Sequence, residues 1–338
     1  MKLSWKTAAT VGFSVASSLL ASLAQGQDRP AVGPGAGPGG RGFVNMDPVD
    51  SRVQQRSYLF TDTDENLPYA VFVPSNYSKD KKTPLVLALH GMNGSHRTFM
   101  RTACVDEAEK NGFILVGPMG YSSTGSFGMQ FGGRGGRGGP GGPGGRIGAP
   151  GPANGPEPQP QAQPQPGPGA AQPGRAGGRG MGRGMPEPGG TKETDRAKVA
   201  ELSEKDAMNV LAMVRKEFNV DENRIYLMGH SLGAGGALHM GEQYSTIWAG
   251  VAALAPAAFG FQRSADSKLK DVPLLIMQGD ADTMVRPAGS QQLAEELKSL
   301  GFQSEYKLLP GLDHGGIIAG SMPDVFKFFA AHTKPASK

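Results

Sequence analysis

The chain has 338 residues, of which 38% are hydrophobic, so it is long enough to enclose one substantial core. Its single cysteine, Cys104, excludes an intrachain disulfide, and we expect that thiol to be a small buried side chain. The formal net charge is +4, but residues 122–190 carry six arginines against two glutamates, and residues 1–26 carry two lysines. The rest of the chain is therefore slightly acidic, which argues against a nucleic-acid-binding body.

The N-terminus has the pattern of a secretory signal. Lys2 and Lys6 precede an uncharged stretch, 7–24, that is rich in Ala, Val, Leu and Ser. This predicts a signal peptide over 1–26, cut between Ala24 and Gln27, and hence a secreted or periplasmic protein without a stable membrane anchor. An uncleaved anchor is the alternative, but the apolar centre is short and diluted by polar residues.

Residues 27–50 are rich in Gly and Pro and predict a disordered leader. Between 51 and 121 the apolar pattern predicts alternating strands and one helix. The strands span 52–60, 68–74, 85–89 and 113–116, and the helix spans 98–110.

Residues 122–190 are built mainly from Gly, Pro, Gln, Ala and Arg, and predict a low-complexity disordered insert. Arg-Gly repeats occur in proteins that bind single-stranded nucleic acid, but aromatic side chains for stacking are nearly absent here. An inert insertion is the simplest interpretation. Contact with an anionic polymer stays open as an alternative.

After the insert, strands and helices alternate again. A helix over 203–218 opens with a capping-box-like Ser203, and a strand then leads to Ser231 and a further helix. The later strands span 248–254, 273–277 and 304–309, and the later helices span 288–300 and 324–332. This alternation predicts an α/β fold: one doubly wound, mainly parallel sheet with helices on both faces, formed by 51–121 and 191–334 as a single domain.

The run from Ile225 to Ala237 joins a strand to a helix through Gly229-His230-Ser231-Leu232-Gly233. Such a turn presents its central hydroxyl in a strained conformation, and it leaves room only for glycine two positions away on either side. A serine hydroxyl needs a base, and the base needs an orienting acid. The sequence therefore predicts Ser231 as a nucleophile.

Candidates for the other two groups follow Ser231 along the chain. His314 stands in a Gly-flanked loop after a strand, whereas the competing His332 is expected to face solvent at the end of the last helix. Asp282 and Asp280 both follow the 273–277 strand. We favour Asp282 as the acid, with Asp280 shaping the turn by local backbone bonding.

An oxyanion needs backbone N–H donors, which the residue after the serine and an earlier strand end supply. Leu232 and Met92 are the candidates. His90 ends the same early strand, and because no second ligand has metal-like spacing, we expect it to brace this loop rather than bind a metal. We predict neither a metal nor a cofactor.

These motifs together resemble the α/β-hydrolase superfamily, and within it the polyhydroxybutyrate depolymerase and feruloyl esterase-like group, which is similar to the catalytic domain of prolyl oligopeptidases. The matching segments are LVLALHGMNG, ELSEKDAMNVL, NRIYLMGHSLGAGG, QGDADTMV and GLDHGG. The resemblance implies a serine hydrolase that forms an acyl-enzyme and acts on small or oligomeric carboxylic esters, such as hydroxycinnamoyl or hydroxyalkanoate esters. The alternatives are a peptidase or amidase, and a polyanion-binding protein that uses the insert on a hydrolase scaffold.

Overall fold

The computed structural model describes residues 48–129, 189–258 and 260–335. The predicted signal peptide, the leader up to residue 47 and residues 130–188 of the predicted insert lie outside the described residues.

Eight strands form one sheet. In chain order the strands are β1 Gln54–Phe60, β2 Glu65–Phe72, β3 Thr83–Leu89, β4 Ile114–Pro118, β5 Val220–His230, β6 Gly250–Leu254, β7 Leu274–Gly279 and β8 Ser304–Leu309. Their order across the sheet is β1-β2-β4-β3-β5-β6-β7-β8. The pairs β1 with β2 and β2 with β4 are antiparallel, and every other pair is parallel. The predicted mainly parallel sheet is confirmed.

Six α-helices cover the described part of the sheet. They are α1 Thr102–Asn111, α2 Arg196–Glu217, α3 Leu232–Gln243, α4 Pro287–Ser299, α5 Gly316–Gly320 and α6 Met322–Ala331. A buried cluster on one sheet face includes residues of α2, α3 and α4, and a cluster on the other face includes residues of α1, α5 and α6.

The central strand β3 shows why both faces need cover. Leu85, Leu87 and Leu89 belong to one cluster, whereas Val86 and Ala88 belong to the other. Since successive side chains of a strand point to opposite faces, a strand without polar positions must be buried on both sides. Cys104, on α1, is fully buried as expected.

The start of α2 differs from the prediction. The helix begins at Arg196, where the Asp195 side chain caps the Lys198 amide, so Ser203 lies inside the helix rather than at its N-terminus. Ser203 is fully buried and accepts a hydrogen bond from the Phe127 amide at 3.0 Å. From the sequence alone, a serine that caps a helix cannot be told from a serine inside a helix whose hydroxyl bonds to another segment.

The residues at the start of the predicted insert pack on the folded body. Ser126, Phe127 and Met129 are buried, although 122–129 forms neither helix nor strand. On the far side of the insert, Gly190 donates its amide hydrogen to Tyr121. Both flanks of 130–188 are therefore fixed on the same domain.

Within the described residues, no helix combines the length and the apolar character needed to cross a bilayer.

Candidate active site

Ser231 lies between the end of β5 and the start of α3 with φ 58° and ψ −120°. This is a conformation that residues with a Cβ rarely adopt. Two hydrogen bonds to the end of β6 and the loop after it hold Ser231: its amide donates to Leu254 O at 2.9 Å, and its carbonyl oxygen accepts from the Ala257 amide at 3.0 Å. The strained serine is thus fixed by the sheet.

Glycines flank Ser231 for a steric reason. A Cβ at Gly229 would collide with the backbone of Gly233, and one at Gly233 would collide with the carbonyl oxygens of Leu89 and His90. The strand end, the first helical turn and the end of β3 therefore approach each other at van der Waals distance.

Asp282 and His314 meet at the carboxyl ends of β7 and β8. His314 Nδ1 donates to Asp282 Oδ2 at 2.8 Å, and the Asp282 side chain is fully buried. This bond leaves His314 Nε2 to exchange a proton. No hydrogen bond joins His314 to the Ser231 hydroxyl in this structure, and such bonds often tighten only when substrate binds.

Backbone amides and Gln278 hold the Asp282 carboxylate. Asp282 Oδ1 accepts from the amides of Met284 and Val285 at 2.8 and 2.9 Å, and Oδ2 accepts from Gln278 Nε2 at 3.0 Å. Burial opposes ionisation, but the hydrogen bonds from His314 and the two amides keep the pKa of Asp282 below its ordinary value. Asp282 is therefore an anion near neutral pH.

Gln278 and His230 are site residues that the sequence analysis missed. Buried Gln278 is oriented by a 2.6 Å hydrogen bond from Ser290. His230 Nε2 lies 2.7 Å from His314 O, and the two imidazole rings are 4.6 Å apart. Because His230 precedes Ser231 in the chain, it links the serine turn to the histidine loop. The sequence feature that could have identified His230 is its position next to Ser231.

The 91–94 loop runs beside Ser231. A Cβ at Gly91 would lie 2.9 Å from the Ser231 Cβ, so the loop backbone touches the serine. Within the described residues, the amides of Met92 and Leu232 donate to no acceptor. Both are the amides predicted as oxyanion donors.

The other predicted residues take different positions. Asp280 accepts from the Gly311 amide at 2.6 Å, so it ties the β7 and β8 loops together instead of bonding locally, which corrects the prediction. His332 is half-buried with Nδ1 2.8 Å from Phe328 O, rather than facing solvent.

Buried His90 has Nδ1 2.8 Å from Gly91 O and Nε2 2.7 Å from Met119 O, as expected of a brace. No cluster of metal-ligating side chains occurs in the part of the chain that the structure describes.

A family model described as phospholipase/carboxylesterase matches residues 178–333, which is less than half of the chain. No curated protein sequence matches significantly. Among solved structures, a ferulic acid esterase from Anaeromyces mucronatus, in complex with ferulic acid, has TM-score 0.54 and 17% identity over 82% of this chain and 91% of that one. An S-formylglutathione hydrolase from Agrobacterium tumefaciens has TM-score 0.52 and 16% identity over 82% and 94%.

The chain has the α/β-hydrolase fold. The sheet order, the serine turn and these structural neighbours agree on this point. A thermostable esterase is also similar, with TM-score 0.50 and 16% identity over 84% of this chain, and this chain spans only 64% of that protein. At such identities the neighbours establish the fold, and the family match adds support for an enzyme that hydrolyses esters.

The structure brings Asp282 and His314 into direct contact, His230 joins the Ser231 turn to the His314 carbonyl, and the loop that carries Met92 lies against Ser231. Their catalytic roles stay predictions, as does the likeness to polyhydroxybutyrate depolymerases.

Proposed function

We propose that the protein is a serine esterase that hydrolyses carboxylic esters through an acyl-enzyme. Ser231 is the nucleophile, His314 the base and Asp282 the orienting acid. The observation that carries the proposal is the strained Ser231 turn, which His230 joins to the His314 loop, together with a buried Asp282 that accepts from His314 Nδ1 at 2.8 Å.

In the proposed mechanism, Ser231 Oγ attacks the ester carbonyl carbon while His314 Nε2 takes the hydroxyl proton. The carbonyl oxygen becomes an oxyanion, which the amides of Leu232 and Met92 stabilise. When the tetrahedral intermediate collapses, the alcohol leaves with the proton from His314. A water molecule then attacks the acyl-enzyme by the same proton route and releases the acid and Ser231.

Apolar side chains around Ser231 support an ester with a bulky apolar group. Buried Met129, Leu232 and Ala257 form a small cluster against Val285. Met92 and Met284, which lie on the loops carrying the proposed oxyanion donor and acid, are 63% and 72% exposed. Flexible methionine side chains adapt well to aromatic or aliphatic ligands. We therefore propose hydroxycinnamoyl and medium-chain hydroxyalkanoate esters as the first substrates to try.

We also propose that the protein is exported, on the strength of the signal pattern in residues 1–26. Fractionation of cells that express the full chain tests this. A mature N-terminus beginning between residues 25 and 27 in the exported fraction is the expected result.

The activity test compares matched pairs of variants on p-nitrophenyl acetate. Ser231→Ala is expected to lower kcat about 10⁴-fold or more, whereas Ser299→Ala, at an exposed serine of α4, leaves it unchanged. Asp282→Asn is expected to cost about 10⁴-fold because the histidine loses its orienting anion, and the neighbouring exposed Asp280→Asn far less.

Full turnover by Ser231→Ala rejects the esterase proposal. Faster cleavage of aminoacyl p-nitroanilides than of the matching esters, lost in Ser231→Ala, assigns the site to a peptidase or amidase instead.

A further inference from the structure

Asp206 is a buried carboxylate that the proposed reaction does not use. It lies on α2 and is fully buried. Among the described residues, no cationic side chain pairs with it, and Tyr58 of β1 is the titratable group that faces it. An unpaired buried charge is costly unless hydrogen bonds compensate it, so its partners indicate what it does.

Two of these partners are consecutive backbone amides after β4. Asp206 Oδ2 accepts from the Gly120 amide at 2.6 Å and from the Tyr121 amide at 3.2 Å, and Oδ1 accepts from the Tyr58 hydroxyl at 2.7 Å. Gly120 and Tyr121 both have positive φ, 65° and 56°. Successive N–H groups in such a turn form a concavity that binds an anion, and Asp206 fills it from within the chain. The strained Tyr121 backbone thereby gains a fixed partner.

The turn that Asp206 holds supports the loop beside Ser231. Next to Gly120, Met119 O lies 2.7 Å from His90 Nε2. Two residues beyond Tyr121, Ser123 O accepts from the Asn93 amide at 2.7 Å. These two contacts brace the 90–94 loop on either side of Met92.

Further along, the same segment touches this loop again. A Cβ at Gly125 would lie 2.8 Å from His90 O, and the Phe127 ring packs edge-on against the His90 ring at 5.3 Å. Residues 119–127 therefore form the supporting surface of the 90–94 loop, and Asp206 fixes the first turn of that surface.

We propose that Asp206 is a positioning residue for the oxyanion site: by holding the Gly120-Tyr121 turn, it sets the place of the Met92 amide relative to Ser231. The proposal rests on the proposed esterase function. Oxyanion donors act mainly in the transition state, so a displaced Met92 amide lowers kcat rather than raising KM.

Burial raises the pKa of Asp206 to about 6, although the hydrogen bonds from Tyr58 and the two amides oppose the rise. Kinetics are therefore measured at pH 8, where the carboxylate is ionised.

The test measures kcat and KM of the full chain on p-nitrophenyl acetate. Asp206→Ala is expected to lower kcat about 10-fold or more with KM within about twofold, because one lost oxyanion donor costs about 10²-fold or more. Asp206→Asn is expected to recover most of kcat, since its amide oxygen accepts from the two amides and its NH₂ donates to Tyr58.

Glu242 on α3 offers a matched control with the same chemistry. Its carboxylate accepts from the consecutive amides of Lys268 and Leu269 at 3.0 and 3.1 Å and from the Ser267 hydroxyl. Among the described residues, no hydrogen bond joins that turn to the 90–94 loop. Glu242→Ala is expected to lower stability while kcat stays within about twofold of the wild type.

Asp206→Ala leaves three buried donors unpaired and can fail to fold. The double variant Tyr58→Phe/Asp206→Leu then decides, because it replaces the polar side-chain pair by apolar groups and still withdraws the acceptor from the turn. A kcat equal to that of the wild type in folded Asp206→Ala or in the folded double variant, or a rise in KM alone, overturns the proposal. Failure of the esterase proposal itself is distinguished by a separate result, namely turnover that persists in Ser231→Ala.

Discussion

At the scale of single residues, the Ser231 backbone conformation costs conformational free energy, and hydrogen bonds to Leu254 and Ala257 hold it in place. A residue with a Cβ at φ 58° and ψ −120° is destabilised by about 1–3 kcal/mol. Glycine adopts this region freely, but it cannot supply a hydroxyl. A serine at this position therefore lowers stability relative to glycine, which supports the proposed role of its hydroxyl.

We predict that Ser231→Gly is more stable than Ser231→Ala by about 1 kcal/mol, although both lack the hydroxyl, because only glycine relieves the strain. Urea unfolding of the two variants measures the difference. Ser299, in the last turn of α4, is the control, and there glycine should be the less stable of the two. Alanine at 231 that is as stable as glycine would show that the strain is absent.

His230 gives the site an acid sensitivity. Burial and the nearby His314 ring lower the pKa of His230 to about 3. An unfolded chain binds a proton at this histidine below about pH 6.5, whereas the folded chain does not until about pH 3. The stability from the neutral ring is thus fully present above pH 6.5 and is lost as the pH falls.

We predict that wild type loses about 2 kcal/mol more stability between pH 7 and pH 5 than His230→Gln does. Glutamine keeps a donor for the His314 carbonyl but takes up no proton. Other titrating groups, including buried His90 and Asp206, are common to both proteins and cancel in the difference. Denaturant unfolding at the two pH values measures it, and equal losses in the two proteins contradict the prediction.

At the scale of elements, the sequence predicted the strands well, and most directly β3, β4, β6 and β7, which are short runs without charged residues. The 304–309 strand is observed with the predicted limits as β8. The start of α2 was missed because its first turn is polar and the Ser203 signal imitates a cap. Helix α5 was missed because five residues, Gly316–Gly320, are too few to show a helical period.

The candidate site also contains both residues that the sequence predicts and residues that it does not. Ser231, Asp282 and His314 were predictable because each has its own local motif at a strand end, and parallel strands bring those ends to one edge of the sheet. His230 and Asp206 contact partners that are distant in the sequence, so no local pattern marks them. Gln278 has partners within twelve residues, but a glutamine at a strand end is not by itself a sign of a site. Asp206 contacts Gly120, 86 residues away, and only the fold shows that connection.

At the scale of the whole molecule, the boundary of the low-complexity insert decides how the chain can be shortened. The sequence places that boundary at residue 122, whereas the packed segment continues to Met129. Phe127 is fully buried, and its amide donates to Ser203 of α2. Removing an aromatic side chain from a core usually costs about 3–5 kcal/mol.

We therefore predict different results for two deletions bridged by the same Gly-Ser linker. Deletion of 130–188 is expected to keep esterase activity and thermal stability, because both flanks keep their contacts to the body. Deletion of 122–190 is expected to lower stability by about 3 kcal/mol or more and to lower kcat, because the 90–94 loop loses Ser123 and Phe127. Thermal unfolding and p-nitrophenyl acetate kinetics of both proteins measure this, and equal behaviour of the two deletions contradicts it.

The shorter deletion removes all six arginines of the insert, so its retention on an anionic resin also tests the polyanion contact. Salt-sensitive retention that disappears together with residues 130–188 assigns that contact to the insert, and unchanged retention excludes the insert as its source.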